Sequence, residues 1–308
     1  MYKLILALFL VINFFVPDKN LVESYNQKVN SWFKNNQKPT ISSHKQKEAD
    51  SGWLISINSR PEKKTNENYL PQAKASLSQD LASSVILTSH DEDTRLPIAS
   101  LTKLMTAYLV LKESSLDKII IIPQFEIRAG DSQAGFSPGE KASVDALLKG
   151  LLINSGSDAA QSLATSLAGS KEAFVLKMNQ AAQDLGLSKT NFTNPVGWDE
   201  QNNYSTVRDM DILSRILLNN NYFRKVVATK DASIRTLAGR TIPLANTNLL
   251  LDNNYLGLKT GYTAGAGECL TALNKTNNHE VLTVIIGSYD RFSQTRLFSD
   301  WINNNFLW

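Results

Sequence analysis

A hydroxyl and an amine three residues apart on a helix share one face and can pass a proton between them, and Ser100 and Lys103 have this spacing. They lie in Pro97-Ile-Ala-Ser-Leu-Thr-Lys-Leu-Met-Thr-Ala-Tyr-Leu-Val-Leu111. Pro97 ends whatever precedes it, and Leu101, Leu104, Met105, Tyr108 and Leu109 recur at helical spacing. Ser100 therefore stands on the first turn of a helix with one apolar stripe. Such a pair is common by chance, and an N-cap beside a solvated lysine is the plain alternative. Two further groups follow in the chain, Ser155-Gly-Ser157 and Lys259-Thr-Gly261. A serine nucleophile needs a base, and the three histidines, His44, His90 and His279, are scattered far from these motifs. Lysine is the base on offer.

The elements that must position these groups can be read from the same chain. With 308 residues, 42% hydrophobic and 20% charged, the chain can bury one large core or two small ones, and one catalytic domain plus a tail is the simplest division. A net charge of +3, dispersed and without a basic stripe, argues against nucleic acid as a partner. The single cysteine, Cys269, excludes an internal disulfide and reads as a small core residue. No residues at metal-ligand spacing accompany the histidines, so neither a metal nor a cofactor is expected.

Residues 1–17 combine Lys3 with a short apolar run, as in a signal peptide or an N-terminal membrane anchor, and predict export to the extracytoplasmic face or periplasm. Residues 18–72 turn to Asn, Lys, Gln and Ser, the composition of a polar linker, interrupted by the apolar island Trp53-Leu-Ile-Ser-Ile57. The folded domain is expected at 73–308. Within it, strands are predicted at 75–77 and 84–88, joined through Gln79-Asp80. A helix at 144–153 breaks at Asn154-Ser-Gly-Ser157, which exposes a hydroxyl between two packed helices, and a second helix runs over 158–168. Ser170 caps a helix over 171–185 that ends at Gly186, and Ser205 caps one over 206–218. A hairpin turns at Ala238-Gly239, and strands follow at 256–263, 268–273 and 280–286. A last helix over 292–305 carries Leu297, Phe298, Trp301 and Ile302 on one face. The fold class is α+β, one antiparallel sheet packed against a helical cluster.

Taken together, Ser100-x-x-Lys103, Ser155-x-Ser157 and Lys259-Thr-Gly261 form the ordered triple of penicillin-binding proteins and class A β-lactamases. The chain resembles the D-alanyl-D-alanine carboxypeptidases of the low-molecular-mass penicillin-binding class, serine peptidases that trim peptidoglycan. Further stretches share the likeness: Leu151-Leu-Ile-Asn-Ser-Gly-Ser-Asp-Ala-Ala160, Phe192-Thr-Asn-Pro-Val-Gly197, Tyr204-Ser-Thr206 and Gly257-Leu-Lys-Thr-Gly-Tyr-Thr-Ala-Gly-Ala-Gly267. The resemblance implies a β-lactamase/transpeptidase-like fold and a Ser100 acyl-enzyme formed on stem peptides ending in D-Ala-D-Ala, with β-lactams as inhibitors. Lys103 would be the base, kept neutral by burial and by Lys259 nearby. Ser155 would relay a proton to the departing D-alanine. Lys259, Thr260 and Thr263 would bind the terminal carboxylate, with Arg291 a further candidate contact, and Gly261 would let the substrate lie along a strand edge. The oxyanion hole would be the backbone N–H groups of Ser100 and Tyr262.

One position departs from the family pattern. The middle motif usually ends in asparagine, whereas here it ends in Ser157, which is shorter and offers one donor in place of an amide fork. It is either a substrate contact or a helix N-cap. The same resemblance leaves room for a D,D-endopeptidase acting on crosslinks, and for a β-lactamase-like hydrolase with Asp199 or Glu200 as the only nearby water-activating carboxylates. A non-catalytic wall-binding homologue is the reading from another class. Many relatives continue into a small β domain and a C-terminal anchor, so membrane attachment here is expected through the N-terminus.

Overall fold

The computed structural model describes residues 60–66, 69–252, 254–276 and 279–308. The expected export segment at 1–17, most of the linker and the island at 53–57 lie outside the described residues. Strands β1 (Glu62–Lys63), β2 (Ala75–Asp80) and β3 (Ile86–His90) lead to a 3₁₀ turn at Ala99–Thr102, which runs into helix α1 (Lys103–Glu113). Next come β4 (Ile119–Ile121), β5 (Lys141–Ser143), α2 (Val144–Leu152), α3 (Ser157–Ala168), α4 (Lys171–Asp184), α5 (Val207–Leu218) and α6 (Asn221–Val227). The hairpin β6 (Asp231–Arg235) and β7 (Thr241–Ala245) precedes β8 (Tyr255–Thr263), β9 (Gly267–Thr276) and β10 (His279–Ser288). Helix α7 (Arg291–Asn305) and β11 (Phe306–Leu307) follow.

Five strands form the main sheet in the order β3-β2-β10-β9-β8, every pair antiparallel. The two faces of β10 show why its sequence is an unbroken apolar run. Leu282, Val284 and Ile286 enter the large core beneath the helices, while Val281 and Ile285 pack with Phe298, Ile302 and Phe306 under α7. Helix α1 crosses the middle of the helical layer, against α2, α3, α4 and α5. Leu101, Leu104, Met105 and Ala107 are fully buried there. The expected α+β architecture, an antiparallel sheet packed against a helical cluster, is observed, and α7 covers the other face of the sheet.

Local differences from the expected elements have local causes. Strand β2 runs through Gln79-Asp80, and the turn moves to 81–84 because the Asp80 carboxylate accepts the Ser83 N–H (2.7 Å) and hydroxyl (2.5 Å). Thr206, not Ser205, caps α5 by accepting the Asp209 N–H at 3.0 Å, while Ser205 bonds Thr190 at 2.7 Å. Leu297 is half exposed rather than part of the inward face of α7. The short elements β4, β5 and α6 had no distinct periodic signal. The folded unit also begins upstream of Ala73: Glu62–Lys63 pair with Phe306–Leu307, and the Tyr69 ring stacks against Trp301 at 6.4 Å.

Candidate active site

Ser100 sits in the 3₁₀ turn rather than in the α-helix proper, one residue after Ala99, whose φ of +47° is in the left-handed region. Two glycines clamp this turn. A Cβ on Gly197, itself at φ +102°, would lie 1.9 Å from the Ala99 carbonyl oxygen. A Cβ on Gly261 would meet the Ser100 nitrogen at 3.0 Å and the Ile98 oxygen at 3.1 Å. Gly261 therefore serves the close approach of β8 to the Ser100 turn, a reason the sequence reading, which assigned it to substrate passage, did not contain.

Lys103 opens α1 with its side chain 1% exposed and its Nζ 2.8 Å from Ser100 Oγ. Burial drives its pKa down to about 7, against the pull of the Asp131 and Asp158 carboxylates. Near neutral pH a large share of Lys103 is thus uncharged and able to accept the Ser100 proton. The second pair mirrors the first. Ser155, at φ +59° in the break between α2 and α3, accepts a hydrogen bond at 2.9 Å from Lys259 Nζ, which also donates to the Thr260 carbonyl at 2.8 Å. Lys259 is held well below the ordinary lysine range by burial, then by the charges of Lys103 and Arg291. The expected repulsion between the two lysines is present, but it acts on Lys259; burial accounts for Lys103.

Both pairs open on a cleft of about 580 Å³ running along β8 from Thr260 to Thr263 and on to Ala264 in the turn beyond. Ser100, Ser155, Ser157, Thr260, Gly261, Tyr262, Thr263 and Arg291 all line it. Ser157 begins α3, and its buried Oγ has no hydrogen-bond partner among the described residues. Arg291, in the first turn of α7, donates from Nη1 to the Gly261 carbonyl at 2.8 Å, and its Nε is buried without a partner among the described residues. Thr260 shares a 2.6 Å hydrogen bond with Thr247, a cleft residue the sequence did not single out. Thr263, expected to bind a carboxylate, donates to Asp199 at 2.6 Å, and the other Asp199 oxygen accepts the Gly265 N–H at 2.9 Å. Both oxygens of Asp199 are thereby engaged. Glu200 faces Arg128 at 3.4 Å and Lys171 at 3.9 Å rather than the cleft. Cys269 is buried in the sheet, where burial pushes its thiol up to about 12, so it is a packing residue.

The wall opposite β8 depends on residues whose role was not apparent from their spacing. Buried Asp158 accepts the N–H groups of Ala134, Gly135 and Phe136, each at 2.8 Å. Asn154 Nδ2 donates to the Gln133 carbonyl at 2.6 Å, and the Ser157 N–H donates to the Ser132 carbonyl at 2.8 Å. The stretch 154–158 thus straps down the loop that carries Asp131, which accepts the Trp198 indole N–H at 2.8 Å. Asn194 Oδ1 gathers the N–H groups of Val196, Gly197 and Trp198 into the turn that presses on Ala99. The Arg128 guanidinium stacks on Trp198, 3.8 Å from the ring centroid, and closes the outer rim.

The model of the D-alanyl-D-alanine carboxypeptidase family matches residues 62–290. The chain is 36% identical over 235 residues to the D-alanyl-D-alanine carboxypeptidase DacF of Bacillus subtilis, an alignment covering 73% of this chain and 60% of that protein. It is 32% identical over 246 residues to DacC of Escherichia coli, again over 60% of the relative. The match thus spans about 60% of the length of these curated relatives. Among solved structures, the Streptomyces K15 DD-transpeptidase superposes with a TM-score of 0.72 at 30% identity, covering 77% of this chain and 98% of that one. The match begins at β1, ahead of Ala73, and ends where α7 starts, so the sheet, the helical layer and both lysine-serine pairs all fall inside it. The chain belongs to the D-alanyl-D-alanine carboxypeptidase family.

Proposed function

We propose that the chain is a serine-type D-Ala-D-Ala carboxypeptidase that removes the terminal D-alanine from peptidoglycan stem peptides and is acylated by β-lactams. The carrying observation is the buried Lys103 amine 2.8 Å from Ser100 Oγ, with its pKa brought to about 7. Lys103 takes the Ser100 proton as Oγ attacks the carbonyl of the penultimate residue. The N–H groups of Ser100 and Tyr262 receive the oxyanion, each worth on the order of 10²–10³ in rate. Ser155, held by Lys259, passes a proton to the departing amine. Lys259, Thr260 and Arg291 receive the terminal carboxylate, Ser157 offers its unpartnered hydroxyl to the peptide, and Thr263 shapes the far end of the cleft through Asp199. Water then releases the acyl group. Export, attachment through the N-terminal segment and action at the extracytoplasmic face belong to the same reading.

Intact-mass measurement after incubation with benzylpenicillin, beside Ser100→Ala, tests the acylation step, and D-alanine release from a pentapeptide tests the reaction. A stable adduct only in the unmodified protein, with D-alanine released, is the expected result. Turnover of the drug without an adduct would favour a β-lactamase, and neither adduct nor turnover would favour a wall-binding homologue. Two relatives favour a variant of the reaction. A D-alanyl-D-alanine endopeptidase of Pseudomonas aeruginosa is 32% identical and aligns over 81% of its length, and the solved Streptomyces neighbour is a transpeptidase. Crosslinked dipeptide stems and amine acceptors in the same assay separate these outcomes.

A further inference from the structure

Beyond Ala264 the cleft opens onto a second groove of about 960 Å³, cut across the ends of β2, β8, β9 and β10. Tyr262 and Ala264 line both hollows, so the two are continuous. Tyr262 and Tyr289 are 65% and 93% exposed, two rings in one groove with no packing role in the cores. The floor is bare backbone. Gly267 and Gly287 sit in the left-handed region at φ +70° and +74°, where the β9–β10 register slips between Ile285 and Ser288. A Cβ on Gly287 would fall 2.7 Å from Cγ and Cδ of Lys74, so the lysine stem lies against this floor.

We propose that this groove binds the sugar portion of the substrate, the glycan strand to which the stem peptide is attached; the inference rests on the peptidase reading of the cleft. The carboxyl end of the substrate is assigned to Lys259, Thr260 and Arg291, so the acyl part extends along β8 toward Ala264. Four extended residues reach about 13–14 Å. Gly261 to Thr263, the end of β8, is about 7 Å of strand, and Ala264 opens the turn that follows. The amino end of the stem, where the sugar begins, is therefore delivered at the mouth of the groove. A pyranose presents an apolar C–H face and a polar edge, which suits tyrosine rings with polar tips. Exposed Lys74 and Gln72 offer donors to hydroxyl and acetamido oxygens. Two tyrosines on a glycine floor fall well short of the roughly 800 Å² per partner typical of a stable protein interface, so a glycan fits the patch better than a protein.

The test uses the 308-residue chain and its Tyr289→Ala variant. Each is titrated with a peptide-free GlcNAc–MurNAc tetrasaccharide, and kcat/KM for D-alanine release is compared on disaccharide-linked and free pentapeptide. The unmodified chain is expected to bind the tetrasaccharide and to favour the linked substrate by about tenfold, equivalent to about 1.4 kcal/mol. Tyr289→Ala is expected to lose both effects while hydrolysing free pentapeptide unchanged. Absence of tetrasaccharide binding, or a preference untouched by Tyr289→Ala, overturns the groove assignment and leaves the peptidase reading standing. Tetrasaccharide binding that depends on Tyr289, with neither peptide hydrolysed, supports the groove and overturns the peptidase.

Discussion

Lysine ordinarily keeps its proton to about pH 10.4, so a lysine base must be made by its surroundings, and at Lys103 burial is the main cause. The protonated form cannot take the Ser100 proton, which fixes the sign of the pH dependence. The rate of acylation by benzylpenicillin is expected to rise through about pH 7 and level off above it, as stopped-flow or mass measurements across pH 5.5–9 would show (roughly that window brackets the titration). A rate unchanged across that range would exclude Lys103 as the base. Ser157 carries a second prediction. Its hydroxyl has no partner among the described residues, so Ser157→Ala should leave stability within about 0.5 kcal/mol while lowering kcat/KM for D-alanine release about tenfold, the loss of one hydrogen bond to substrate. Urea denaturation beside the kinetics separates the two effects. Ser100, Lys103, Ser155 and Lys259 could be singled out because the three motifs occur together in order, and it was the family resemblance of that triple, rather than spacing alone, that suggested their roles. Asp131, Trp198 and Thr247 could not, because they enter the cleft only through partners distant in the chain, such as the bond between Trp198 and Asp131, 67 positions apart.

At the scale of elements, the reactive turn is positioned by backbone squeezed between glycines and by side chains that gather N–H groups. Gly197→Ala should cost activity through shape alone, because its Cβ would fall 1.9 Å from the Ala99 oxygen at a φ that L side chains rarely adopt. We expect at least a hundredfold slower acylation and a lower Tm, on the order of the strain and displacement such sites impose. Penicillin acylation kinetics and calorimetry on the same variant would check it; a rate within twofold of the unmodified protein would show that the turn can move. Helices α2, α3 and α4 were readable to within a residue or two, since their periodicity and caps agree. The misplacements occurred where two hydroxyl residues in a row competed for one cap, at Ser205 and Thr206, or where a strand-end carboxylate drew the turn to itself, at Asp80.

On the scale of the whole molecule, the sheet separates two cores, and Arg291 in the first turn of α7 is where the outer layer reaches the cleft. The reactive groups sit between β8 and the helical layer, while Phe298, Ile302, Phe306 and the Tyr69 and Trp301 rings form a separate core under α7. Phe298→Ala should therefore cost about 3–5 kcal/mol of stability and leave the acylation rate of the folded fraction unchanged. Chemical denaturation and active-site titration would separate the two quantities, and a matching loss of acylation rate would mean that the cores are coupled. Residues 62–63 and 69–72 look like tether on composition, yet Glu62–Lys63 pair with Phe306–Leu307 and the Tyr69 ring joins Phe298 and Trp301 in this outer core.

The strand order also has a temporal consequence. β2 lies beside β10, with Ser78 and Thr283 sharing a 2.7 Å hydrogen bond across 205 positions of sequence, and Ser155 meets Lys259 across 104. Contacts so distant carry the entropic cost of closing the intervening loops, which slows their formation. A growing or unfolded chain carries Ser100 and Lys103 close in sequence but has neither Lys259 set against Ser155, nor the clamped turn, nor the cleft. On the proposed reading, acylation of Ser100 by a β-lactam is expected only once the last strands have docked, and it would then serve as a clock for completed folding.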